Sequence, residues 1–285
     1  MRVTDTFKTQ KPYRITLLSG FLIILAFESS FAWDRKANDT ILSGNDCPQC
    51  DLRYFEATEK TFMNMNLSGS YLFAAEFHDV TFSNTDLSSA QLSLMDLRDG
   101  VIEDSDLEKT NLEKSKIVNT SITNSRFGFA FAPEIHIAHS RITSSSFDEI
   151  TLDKAVLENL QIHQSDFRGA VLSNTSISNV SFSEGTIEDA DFSNSILENV
   201  DFTKINLVKA NFKNTTLKNV IFSDVDLQDS KFEDANCIRC GFLNTNLMQS
   251  NFSNANLSGV ILLNTATEDI NTCRARMPNG QVNEC

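Results

Sequence analysis

Ala190-Asp191-Phe192-Ser193-Asn194 and, twenty residues later, Ala210-Asn211-Phe212-Lys213-Asn214 present five chemical classes in one order. The pattern extends outward from both. Every fifth residue from Leu52 to Leu262 belongs to one series, and of its 43 positions only Ala57, Ala132 and Cys237 are not Leu, Ile or Phe. A second series sits two residues earlier, from Cys50 to Val260, and 35 of its 43 members are Ala, Ser, Thr, Val, Gly or Cys. The residues between are mostly Asn, Asp, Ser, Thr, Lys and Glu.

A period of five fits neither ordinary element. On an α-helix five steps rotate roughly 500°, so successive large residues point about 140° apart and no apolar face forms. In a flat strand an odd period sends successive large residues to opposite faces. The chain must instead corner once per repeat, wrapping short extended sides round a shared axis. Each side then points one large and one small residue inward, because stacked coils lie only about 4.8 Å apart. From Phe182 to Leu257 the large residues almost alternate Phe with Leu or Ile. Four sides per coil stack Phe182 on Phe202, Phe222 and Phe242, and Phe192 on Phe212, Phe232 and Phe252; three sides would put Phe over Leu throughout. The spacing therefore predicts an all-β square solenoid of about 11 coils, a rod roughly 50 Å long. Phe55, Ala57 and Lys60 break the pattern together, so the first coil is expected to be irregular, with regular stacking from about Thr61.

The (Ala/Ser/Thr/Val)-(Asp/Asn)-(Leu/Phe)-x-x pattern resembles the pentapeptide-repeat family over about three quarters of the chain. That resemblance implies a right-handed quadrilateral β-helix. The opening Cys47-Pro48-Gln49-Cys50-Asp51-Leu52 and the closing Cys273–Cys285 segment resemble the flanks of many secreted members. Function varies across the family, so the resemblance brings fold and little activity.

The 285 residues are 41% apolar and carry a net charge of -14. Basic residues Arg2, Lys8, Lys11 and Arg14 precede an apolar stretch, Ile15 to Phe27, followed by Glu28-Ser29-Ser30-Phe31-Ala32. This predicts a signal peptide cleaved after Ala32; thirteen apolar residues fall short of the roughly 20 that a spanning helix needs. An uncleaved N-terminal anchor is the alternative. The expected organisation is signal peptide 1–32, linker 33–46, repeat β-helix 47–262 and capping tail 263–285. Without the first 32 residues, which hold four basic and two acidic side chains, the net charge is -16. Such a surface disfavours nucleic acid and anionic lipid.

Six cysteines in an exported chain suggest disulfides. Cys47/Cys50 and Cys237/Cys240 lie in the same repeat register, so each pair is expected to close locally round a corner, leaving Cys273 with Cys285 to close a C-terminal loop. A redox role for either pair is an alternative. A four-cysteine zinc site fails, because positions 50 and 237 are about nine coils apart, on the order of 45 Å.

The stretch from Phe127 to His139 is the one disturbed region. Phe129 and Phe131 stand where other repeats present solvent-facing residues. A bulged corner that packs its own aromatics is one expectation; an interaction patch of Phe129, Phe131, Pro133 and His136 is another, and a Glu134/His136/His139 metal site a third. The Asp224–Asp234 stretch fails as an EF-hand because its sixth position is Asp229 and its twelfth Ala235. No catalytic constellation, cofactor motif or metal motif is read.

The expected function is a non-catalytic exported solenoid, periplasmic or secreted, that serves as a scaffold for an unidentified protein or envelope component, with no nucleic acid and no membrane span after cleavage. The alternative is a DNA mimic that binds a type II topoisomerase, as some family members do. Duplex DNA holds about 30 charges in 50 Å, far more than this surface, and Lys109, Lys114, Lys116, Lys204, Lys209, Lys213 and Lys218 interrupt the acidic field.

Overall fold

The structure, a computed structural model, describes residues 35–285. The expected signal segment, 1–32, lies outside the described residues.

The chain corners by one repeated backbone device. Two residues after each large position, from Gln49 to Arg274, φ lies between 47° and 71°, and only Gly69, Gly169 and Gly259 of these corner residues are glycine. Left-handed backbone costs an ordinary L-residue roughly 1–2 kcal/mol, which Asn and Asp lessen by local hydrogen bonding. Accordingly Asn or Asp holds many corners, Asn159, Asn179, Asn199 and Asn219 among them.

Every strand pairs in parallel with the strand twenty residues on, as in Glu56↔Glu76, Ser176↔Ile196 and Phe222↔Phe242. The same offset joins the remaining sides through single bridges, from Asp51↔Tyr71 to Asn256↔Arg276. The solenoid is therefore four-sided, as the Phe alternation requires. We number its walls by their inward large residues: face 1 runs from Phe62 to Leu262, face 2 from Leu67 to Leu247, face 3 from Leu52 to Phe252 and face 4 from Ala57 to Leu257. Faces 2 and 3 end in tight turns, where Ser70 N–H donates to the Leu67 carbonyl (3.2 Å) and Ala75 N–H to that of Leu72 (3.1 Å). Faces 1 and 4 are true strands with open corners, except at the end of face 4, where Val260 N–H donates to the Leu257 carbonyl (3.1 Å) in a tight turn. In Val156–His163, Ser176–Ser183 and Ile196–Thr203 the strand runs on from face 4 through the corner into face 1.

The large series forms the core. Phe182, Phe202, Phe222 and Phe242 stack on face 1 at 4.9–5.1 Å with planes within 9°. Phe192, Phe212, Phe232 and Phe252 stack on face 3 at 4.5–4.9 Å, and edge-to-face contacts such as Phe212–Phe222 (5.9 Å, 82°) join the two ladders. Phe127, Phe147 and Phe167 make a third stack, on face 2. Inward Ser and Thr fit for a second reason besides size. Thr215 and Ser195 hydroxyls donate to the carbonyls of Phe192 and Leu172, at 3.0 and 2.8 Å, so these two buried hydroxyls are paired with the wall beneath.

Four expectations are corrected. The segment read as a linker contains the helix Arg35–Leu42, whose Ala37 and Ile41 are buried in the same core as the first coil. The first coil is regular: Leu52, Phe55 and Ala57 are buried, and the chain avoids the cost of an interior ammonium by leaving Lys60 exposed. The region round Phe129 has no bulge; Ala132 and Ile135 are both buried and the offset of twenty is kept. The repeat backbone extends beyond Leu262 to Arg276, where the tail turns back and Arg276 bridges Val282 in antiparallel fashion.

Candidate docking faces

Outward registers decide what each wall displays. Face 2 and its trailing corner, followed on past Leu247 to Asp269, carry twelve carboxylates, including Asp106, Glu108, Asp148, Glu149, Glu188 and Asp189, against four cations, Lys109, Arg126, Arg168 and Lys209. Face 3, followed likewise to Arg274, holds seven carboxylates and six cations, and its N-terminal half displays aromatic and aliphatic side chains. The two adjoining walls thus differ sharply in charge.

Phe129 and Phe131 sit where these walls meet. Phe129 holds the left-handed corner position (φ 57°) and is 57% exposed, while Phe131 begins face 3, bridges Asn111 and Thr151, and is 48% exposed. The buried Ala130 between them points inward, so the backbone presents both rings outward. Pro133 follows on the same wall, half-buried, its carbonyl accepting the Lys114 N–H at 3.0 Å. His136 belongs to face 4 and is turned away to the next coil, its Nε2 lying 2.8 Å from Glu158 Oε1. The expected patch therefore loses His136. Glu134 lies 4.0 Å from Lys114 and His139 holds a separate corner, so the three metal-ligand candidates face different neighbours. Among the described residues, no three His, Cys, Asp or Glu side chains gather as metal ligands.

Sequence reasoning missed a second group on face 3. Tyr71 and Leu94 are exposed, and Phe73 packs edge-on to Tyr54 at 5.7 Å. The signal was available: Tyr71 and Phe73 flank the inward Leu72, the same outward positions that singled out Phe131. Salt bridges trace the acidic registers. Arg98 pairs with Asp96 and holds that carboxyl below the usual range, opposed by partial burial; Arg53 does the same for Asp51 and Asn174 for Asp153.

The cysteines divide by corner type. Cys47 and Cys50 are disulfide-bonded with Cα atoms 5.4 Å apart across a tight turn, where Cys50 N–H donates to the Cys47 carbonyl. Cys273 and Cys285 are bonded as expected, with Cα atoms 4.6 Å apart. Cys237 and Cys240 are not bonded; both are buried thiols. Their pair straddles the open corner after the strand Asn236–Ile238, so the register they share with Cys47 and Cys50 does not bring the same backbone geometry. Cys240 donates to the Leu217 carbonyl at 3.5 Å. The hydrogen bond between the two thiols pushes Cys237 up, with burial adding to it, and draws Cys240 down against the effect of burial.

Two sequence-family profiles match the chain: a pentapeptide repeat region at residues 135–212, and pentapeptide repeats (8 copies) at 75–113 and 226–262. Compared with curated proteins, the sequence matches none. Among solved structures it is similar to HetL, a pentapeptide repeat protein involved in heterocyst differentiation regulation from the cyanobacterium Nostoc sp. strain PCC 7120. Identity is 18%, with 83% of this chain and 92% of that chain covered and a TM-score of 0.33. It is similar to QnrB1, a plasmid-mediated fluoroquinolone resistance protein, at 15% identity over 63% and 94% of the two chains, TM-score 0.33. A third is the pentapeptide repeat protein Rfr23 from the cyanobacterium Cyanothece 51142, at 22% identity over 35% and 63%, TM-score 0.18.

Proposed function

This chain belongs to the pentapeptide-repeat family, and from that premise we propose that it is a non-catalytic scaffold, exported to the periplasm or cell envelope, that docks a protein partner on face 3. The observation that carries the reading is the pair Phe129 and Phe131, held outward on the wall of an acidic rod where carboxylates and cations come nearest to balance. Exposed aromatics on a rigid surface suit an interface anchor, since they bring large contact area with little entropy to lose. Export is supported by the basic-then-apolar N-terminus and by two disulfides, which persist in oxidising compartments. Among the described residues, no helix is long and apolar enough to cross a membrane.

The test combines fractionation with a double variant. A tagged chain should appear as a shortened product in periplasm or medium, and F129S/F131S should keep the wild-type melting curve while losing a cross-linked envelope partner. Full-length protein confined to the cytosol would remove the export reading; an unchanged cross-link would remove the docking surface.

Face 2 favours a second reading, a DNA-like surface for a type II topoisomerase. Its twelve carboxylates against four cations fall well below the roughly 30 charges on 50 Å of duplex, so the scaffold reading is preferred. A gyrase supercoiling assay separates the two, inhibition supporting mimicry.

A further inference from the structure

The C-terminal end of the solenoid is built differently from its shaft. Along the shaft the large registers hold Leu, Ile or Phe at all but Ala57, Ala132 and Cys237, but in the last coil two in succession are Thr267 and Thr272, side chains too short to occupy the space above Leu247 and Phe252. A cavity of about 210 Å³ results, lined by Phe252, Leu257, Val260, Leu262, Ile270 and Met277 among others. Beside it the strand Ile261–Leu263 is exposed at all three residues, by 62%, 43% and 55%, although Leu262 stands at the head of the buried face 1 series.

The backbone at this edge is open as well. One coil earlier, Asn244 N–H donates to the Leu263 carbonyl (2.9 Å), and the Cys240 carbonyl accepts from Ile261 N–H (3.0 Å). The residues that would serve Asn264 and Val260 in the same way are Asn283 and Gln281. Both are diverted: the Asn283 carbonyl accepts from Arg274 N–H, and Gln281 N–H goes to the Asn279 side chain. With the Cys273–Cys285 disulfide fixing the tail to face 3, face 1 ends on a strand edge that no described residue covers, above an apolar hole that no described side chain fills.

We propose that this end receives an extended peptide segment, which adds the next rung to face 1 and places one bulky apolar side chain in the cavity. Main-chain pairing to a sheet edge supplies affinity in such additions, and the alternate side chains supply selectivity. An apolar cavity of about 150 Å³ already accepts benzene, so the space here fits a phenylalanine or leucine side chain. The geometry favours a different chain over a second copy. Two-fold pairing of this end would bring hole against hole and leave both unfilled, because the exposed Ile261 and Leu263 stand at outward registers of face 1 and the inward Leu262 already lines its own cavity. The site is separate from the aromatic pair on face 3 and stands whether or not that pair docks a partner.

The test selects phage-displayed random heptapeptides against the full chain, with T272F as counter-selection. A phenylalanine at 272 would extend the Phe232–Phe252 stack into the cavity, so T272F is expected to melt no lower than wild type. The proposal expects enriched peptides of alternating pattern with one central Phe or Leu, binding at least tenfold weaker to T272F and when that central residue becomes Ala, unaffected by F129S/F131S, and slowing amide exchange at Leu262 and Asn264. No enrichment, or peptides that bind T272F equally, would overturn it. So would a concentration-dependent dimer in sedimentation that T272F dissolves, since the occupant would then be a second copy.

Discussion

Phe232 lies flat on Phe252, ring centroids 4.5 Å apart and planes 3° from parallel. The rung spacing dictates this: identical side chains twenty residues apart occupy one rotamer and repeat along the axis. Phe212 is held from below, above and the side, by Phe192, Phe232 and Phe222. F212A therefore leaves a cavity that a stacked wall cannot collapse into, and is expected to cost about 3–5 kcal/mol. Urea unfolding checks it; a loss under about 1 kcal/mol would mean that the core relaxes.

Asn199 sits at a left-handed corner (φ 56°), donates to Asn179 Oδ1 at 3.0 Å and accepts from Asn219 at 2.8 Å. N199V forfeits the ladder and places a β-branched residue where L-side chains are strained, an expected loss of about 1–2 kcal/mol. N199G removes the strain and keeps the loss of the ladder, so it should fall between wild type and N199V in the same unfolding measurement.

Thiol counting separates the two corner types. With two disulfides among six cysteines, unreduced protein should titrate no thiol while folded, because Cys237 and Cys240 are buried, and two after denaturation. A denatured count of zero would mean that the pair closes despite its open corner, and six would remove both disulfides.

Acid should loosen the fold through its arginine-paired carboxylates. Asp96 and Asp51 are held below their ordinary range, so in the folded chain they bind protons less readily than in the unfolded one. Their stabilisation is complete above about pH 4, near the unfolded carboxylate value, and is lost as pH falls through the depressed folded value. The melting temperature should drop as pH falls below about 4, and the drop should shrink in D96N.

The walls were legible because the period of the large series is a backbone property: one corner per five residues forces every fifth side chain inward whatever surrounds it. The corners were not, since Phe129, Leu94 and Lys109 hold left-handed positions as Asn199 does, and main-chain bonding to the next coil overrides their preference. The pattern ended at Leu262 because Thr267 and Thr272 are polar, while the backbone ladder, which needs no particular side chain, went on to Arg276. Arg35–Leu42 offers only Ala37 and Ile41 as an apolar pair, too little periodicity to announce a helix. In the candidate site, Phe129 and Phe131 could be placed outward from register alone. His136 could not, since its Glu158 partner comes from another coil.

Two glycines in the small series give a paired test of how closely the coils approach. A Cβ on Gly185 would stand 2.2 Å from the Ser165 carbonyl oxygen and 3.0 Å from its nitrogen, both backbone atoms of the coil beneath. A Cβ on Gly100 would meet chiefly the Leu97 side chain, at 2.7 Å, which can rotate. G185A must push one rung off another and is expected to cost about 1–3 kcal/mol, as overpacking does, whereas G100A should cost less. Equal losses in parallel urea titrations would mean that the wall at Ser165 yields as readily as a leucine rotamer, and the close backbone approach would then have no energetic consequence.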